Sequence, residues 1–236
     1  MNLLLLSNSS NPGEAYLEYP QKEIKAFLGN KPLTAIFIPY AAVTFSYDVY
    51  EAKVEDVFSK IGHKVRSIHH FDDPIAAIEG AEAIIIGGGN TWRLVQQLHL
   101  HKLMDVIRQK VSLGTPYIGW SAGSNVACPS LKTSNDMPIV DPISFETLNL
   151  IPFQINPHFL DIHPAGFGGE TREDRIMEFI ELNPDTFVVG LRESSLFHIT
   201  DNTIELKGPK TARIFKKGLN IKELGCEDDF SFLLNK

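Results

Sequence analysis

The chain has 236 residues, 43% of them hydrophobic, enough for a sizeable core in one domain. Its formal net charge of −7, with no run of five or six like charges, argues against a nucleic-acid partner. Two cysteines, Cys128 and Cys226, make no C-x-x-C pair and exclude a disulfide framework or a zinc-thiolate cluster.

The opening "MNLLLLSNSS" is apolar over only four residues and has no basic start, so it is not read as a signal peptide. No stretch is long and apolar enough to span a bilayer. A reduced, cytoplasmic setting without membrane attachment is expected.

In chain order, "LLLL" (Leu3 to Leu6) reads as a buried strand. "YLEYPQKEIKAFL" reads as a helix, "TAIFIPYA" as a strand, and "YDVYEAKVEDVFSKIG" as an amphipathic helix stopped by Gly62. "KVRSIHH" reads as a strand, and "DPIAAIEGA" as a short helix capped by Asp73 with Pro74 at its first position. "EAIIIGGG" is a strand, "TWRLVQQLHLHKLMDVIRQKVSLG" one long helix, and "PYIGW" a strand. "FVVGL" reads as a sixth strand. "LFHITDNTIELKG" and "TARIFKK" read as C-terminal hairpin strands. Short apolar strands separated by helices predict a mostly parallel sheet with helices on both faces, in a single α/β domain over 1–236.

Ligands of such sheets bind beyond the carboxyl ends of the strands. Two glycine-rich turns fall there. Gly87-Gly88-Gly89-Asn90-Thr91 lacks the dinucleotide-binding spacing, and fits either a bare tight turn or a nest of N–H groups for a negative oxygen. Gly119-Trp120-Ser121-Ala122-Gly123 has the G-x-S-x-G pattern of a nucleophile elbow, with a helix expected from Ala122. The plainer reading is that Ser121 caps that helix.

A serine nucleophile needs a base. Of eight histidines, His69, His70, His99 and His101 lie on a strand end and a helix. His99 and His101 point to different helix faces and offer no shared metal site. His198 sits in an alternating strand and reads as packing. His158, in "PFQINPHF", is read as a loop residue held by Pro152 and Pro157, a suitable place for a base. Glu193 in "VVGLRESS" and Asp136 in "TSNDMPIVD" are both available to orient its ring.

"GGGNT", "YIGWSAGSNVACP", "TSNDMPIVDP", "QINPHF" and "GETREDRI" occur together in this order. The set resembles the peptidase E family, α-aspartyl dipeptidases among the serine peptidases that also include cyanophycinase. The likeness runs from "LLLLSNSS" to about "VVGL". It implies a fold like the class I glutamine amidotransferases, with serine in place of cysteine. It also implies a cytoplasmic peptidase that cleaves dipeptides with N-terminal aspartate. Ser121 then matches the nucleophile and His158 the base. Glu193 matches the third member, and Asp136 a position also proposed for it. Gly89 and Ala122 would form the oxyanion hole. Arg172 would meet the substrate carboxylate, with "GFGGETRED" as a lid; otherwise it only opens the helix "REDRIMEFIEL". No metal or cofactor is implied, and an oligomer is compatible. Where the family reads Leu-Pro-Glu-Gly around the acid, this chain has Leu191-Arg192-Glu193-Ser194. The rival functions are a cyanophycinase-like hydrolase of β-aspartyl linkages and a catalytically silent binder of small acids.

Overall fold

The computed structural model describes residues 1–161 and 168–235. Five strands form a parallel array: β1 (Asn2–Leu6), β2 (Thr34–Ile38), β3 (Lys64–Ser67), β4 (Ala83–Ile86) and β5 (Tyr117–Trp120). The hairpin β8 (Leu196–Thr200) and β9 (Thr203–Lys207) extends this sheet in antiparallel sense. The order across it is β3-β2-β4-β5-β1-β8-β9.

Alternating side chains along each strand sort into two cores. Leu3, Leu5, Ile36, Ile38, Ile84 and Ile86 face α3 (Pro74–Glu79), α4 (Thr91–Leu100) and α5 (Leu103–Ser112). Leu4, Leu6, Phe37, Ile85, Ile118 and Trp120 face α1 (Gln21–Leu28) and α2 (Tyr47–Lys60). Each fully buried Leu, Ile or Phe contributes about 1.5–3 kcal/mol. The continuously apolar strands therefore follow from helix cover on both faces.

Several local expectations change. The long helix after β4 breaks into α4 and α5 at Lys102, which is left-handed at φ 55°. "KVRSIHH" is a strand only to Ser67; Ile68–His70 is a single 3₁₀ turn. "FVVGL" does not join the main sheet. As β7 (Val188–Arg192) it lies in a four-stranded sheet of order β11-β10-β7-β6. Its neighbours are β6 (Gln154–Phe159), β10 (Ala212–Phe215) and β11 (Lys222–Leu224). His158 is thus in a strand, not a loop: "QINPHF" pairs in parallel with β7. α7 (Arg172–Leu182) packs Ile176 and Ile180 against Phe159, Val188 and Phe215 of this second sheet.

Candidate active site

The serine corner is built by close approach of backbones. Ser121 has φ 53° and ψ −110°, a conformation that costs about 1–3 kcal/mol in a non-glycine residue. Its N–H donates to Leu6 O at 3.1 Å, and its carbonyl accepts from Ser124 N and Asn125 N. The Ser124 hydroxyl bonds Leu6 O at 2.6 Å and Gly119 O at 2.8 Å. Tyr117 OH donates to Gly123 O at 2.6 Å.

The flanking glycines have a steric reason. A Cβ on Gly119 would lie 2.4 Å from Gly123 O, and one on Gly123 would lie 2.1 Å from Ile86 O. Both obstacles are backbone and cannot swing away. Gly123→Ala is expected to destabilise the protein by about 3 kcal/mol, the upper end of ordinary overpacking costs, because the elbow must separate from β4. Denaturant melts check this; a loss under 1 kcal/mol would mean that the elbow adapts.

The helix after Ser121 is one turn long, α6 (Ala122–Asn125). The Ser121 side chain makes no capping bond to it. Instead Oγ lies 2.9 Å from His158 Nε2. His158 Nδ1 lies 2.7 Å from Glu193 Oε1. His158 also has positive φ, 53°, at a register shift between Asn156 and Phe159. Such irregularities re-aim a side chain out of the strand pattern. Its N–H donates to Ser7 Oγ at 2.9 Å, and Ser7 Oγ donates to Leu191 O at 2.8 Å. Ser7, one residue beyond β1, therefore ties the two sheets together behind the histidine.

Glu193 follows β7 directly, beside the strand that carries His158. Arg192 anchors that strand end, donating to both oxygens of Asp161 at 2.6 Å and to both oxygens of Glu223 at 2.8 and 2.9 Å. These bonds raise the Arg192 pKa and hold it charged. Ser194 N donates to Asn8 Oδ1 at 2.9 Å. Sequence alone does not pick out Ser7, Asn8 or Arg192 as a supporting residue. The polar "SNSSN" straight after an apolar strand was the available signal, since strand ends carry sites.

Asp136 lies elsewhere in the network. Its Oδ2 accepts from Thr91 N at 2.8 Å, Thr91 Oγ1 at 2.6 Å and Ser134 Oγ at 3.1 Å. It supports the start of α4 and makes no hydrogen bond with His158 among the described residues.

Gly89 has φ 135°, and a Cβ there would lie 2.3 Å from Ala41 O. A Cβ on its neighbour Gly88 would lie 3.1 Å from Ser121 Cβ, so the glycine turn runs against the serine. Tyr50 OH donates to Gly88 O at 2.9 Å and accepts from Trp120 Nε1 at 3.0 Å. Burial raises the Tyr50 pKa and keeps it a phenol, the form that donates. These residues open into a cleft of about 340 Å³ walled by Ser9, Tyr16, Phe45 and Lys53, with Ser121 and His158 inside.

Arg172 opens α7 after a capping box made by Thr171 and Asp174. Its guanidinium is half-buried and within electrostatic reach of Asp136 and Glu193. Burial, then the like charge of Arg175, lowers its pKa from the usual arginine range. The start of the stretch expected to form a lid lies outside the described residues.

The model of peptidase family S51 matches residues 3–207. The chain belongs to peptidase family S51. It is 53% identical over 234 residues to a peptidase E of Nostoc sp. strain PCC 7120, covering 99% of this chain and 97% of that one. It is 47% identical over 218 residues to a peptidase E of Escherichia coli O6:K15:H31 strain 536, covering 92% and 95%. The crystal structure of a peptidase from an acI-B1 actinobacterium superposes with a TM-score of 0.72 at 18% identity, covering 98% and 96%. This S51 member is a serine peptidase with an amidotransferase-like α/β fold. Among the described residues no helix is long and apolar enough to cross a membrane.

Proposed function

We propose that this S51 peptidase is an aspartyl dipeptidase of the cytoplasm. In this reading Ser121, His158 and Glu193 hydrolyse Asp-X dipeptides within one α/β peptidase domain over 1–236. The observation that carries the reading is the hydrogen-bonded line from Ser121 Oγ through both ring nitrogens of His158 to Glu193. Serine comes from one sheet, histidine and acid from the other, so both sheets build one site. A silent acid binder has no use for a strained serine aligned on an imidazole.

His158 takes the proton as Ser121 Oγ attacks the peptide carbonyl, then returns it to the leaving amine. Glu193 accepts from Nδ1–H and stabilises the imidazolium. The N–H groups of Gly89 and Ala122 donate to the developing oxyanion. The aspartyl-enzyme ester is then hydrolysed by a water activated on the same histidine.

Arg172 is the cation assigned to the substrate side-chain carboxylate, for which a guanidinium fork suits better than an ammonium. Charge-assisted bonds of this type contribute about 1.5–3 kcal/mol each. Arg172→Ala is expected to lower kcat/KM for Asp-Leu by on the order of a hundred-fold. Labelling of Ser121 by a fluorophosphonate should persist. The check is a panel of Asp-Leu, Glu-Leu, Asn-Leu and Ala-Leu with both proteins. Equal losses across the panel would show that Arg172 only supports α7.

A further inference from the structure

Away from the reacting atoms, the fold gathers four metal-ligating side chains that are far apart in sequence. Asp48 and Glu51 stand one turn apart on α2, and His69 and His70 form most of the 3₁₀ turn after β3. One donor atom from each lies within 4.8 Å of those of the other three. His69 Nε2 is 3.0 Å from Asp48 Oδ1. His70 Nε2 is 3.6 Å from the same oxygen and 2.6 Å from Glu51 Oε2. In a tetrahedral zinc shell with bonds of about 2.0–2.2 Å, ligand atoms sit roughly 3.4 Å apart. The observed spacings bracket that value.

The groups behind these ligands are also in place. Ser67 Oγ lies 2.6 Å from His69 Nδ1, and Ser67 N donates to Glu51 Oε1 at 2.6 Å. Metal-binding imidazoles are oriented in this way by a bond to their other nitrogen. Charge balance points in the same direction. Among the described residues the ion-pair partners of Asp48 and Glu51 are these two imidazoles, with no Lys or Arg. Mixed imidazole and carboxylate donors suit zinc-class ions, whereas calcium and magnesium favour oxygen alone.

We propose that Asp48, Glu51, His69 and His70 form a binding site for a zinc-class divalent cation that ties α2 to the turn after β3. Asp48 and His69 line an open cavity of about 680 Å³, which gives an ion a route from solvent. Phe45 walls both this cavity and the cleft of Ser121. α2 also carries Tyr50 and Lys53 of the cleft, so the cation's role is to fix that helix rather than to touch substrate.

The test is a cobalt titration of untagged, chelator-stripped protein followed by zinc competition. Visible ligand-field bands of four-coordinate cobalt should saturate at one equivalent per chain and disappear on adding zinc. His70→Ala and Glu51→Gln should each weaken binding at least about a hundred-fold, since even outer partners of such ligands are worth ten- to a hundred-fold. Metal-free melts of both variants should match the parent. If either melt is disturbed, Asp48→Asn, at the most exposed of the four positions, reads the same loss. No saturable band in the parent, or one-to-one binding that survives the substitutions, would leave only an ion-pair cluster and overturn the site.

Discussion

Ser121→Ala is expected to leave the fold intact and to lower kcat for Asp-Leu by about a million-fold, the loss typical when a triad nucleophile is removed. The elbow should survive because the restraints that hold it do not involve Oγ. Leu6, Ser124 and Asn125 grip the backbone of residue 121, and Tyr117 and Ser124 hold the glycines on either side. Among the described residues Oγ contributes a single bond, to His158. Alanine tolerates positive φ about as badly as serine, so the strain is unchanged and the melting midpoint should move little. Residual activity should resemble a site with its oxyanion donors but no nucleophile. A variant that keeps a tenth of the activity would sink the serine mechanism whatever the geometry.

Much of this arrangement was legible in the sequence. Continuous apolar runs such as "AIII" and "LLLL" identify two-sided strands because every face they present is buried. The elbow was legible because its chemistry and its sterics ask for the same residues, glycine two before and two after a serine. The second sheet was not legible. "FVVGL" has the pattern of any buried strand, and nothing local tells which sheet it joins. "QINPHF" reads as a loop because proline argues against a strand. Pro157 sits beside the register shift, where the ladder is already interrupted.

The support of the acid was hidden for a related reason. Ser7 meets His158, Asn8 meets Ser194, and Arg192 meets Asp161 and Glu223 only through long-range folding. Arg192 and Ser194 depart from the family pattern around Glu193, yet both have local reasons. Ser194 has φ 70°, where glycine is favoured, and its hydroxyl donates to Asn11 Oδ1 at 2.9 Å. Polar side chains take αL more readily when a local bond holds them. The Asp48–His70 cluster was invisible for the opposite reason: its four members have no zinc-like spacing until β3 and α2 pack side by side.

Glu193→Gln is expected to lower kcat by about ten-thousand-fold, and Asp136→Asn by far less. The two carboxylates differ in what they hold. Glu193 Oε1 sits 2.7 Å from His158 Nδ1, so the ring carries its proton there and turns a lone pair on Nε2 toward Ser121. A glutamine can present its NH₂ to Nδ1 instead. The ring would then carry its proton on Nε2 and could not accept one from the serine. The amide also has no charge with which to stabilise imidazolium. Asp136 instead accepts from Thr91 N and Oγ1 at the start of α4. Removing its charge weakens a helix-terminus bond, which costs about 1 kcal/mol of stability. Arg172 lies within reach of Asp136, so this variant should act mainly on KM through the cation's position. The measurement is kcat and KM for Asp-Leu at a temperature well below both melting midpoints. Adding Glu193→Gln to Ser121→Ala should cost almost nothing further, because members of a triad act as one unit. If Asp136→Asn proves the worse of the two in kcat, Asp136 is the acid, and Glu193 only helps to seat the histidine.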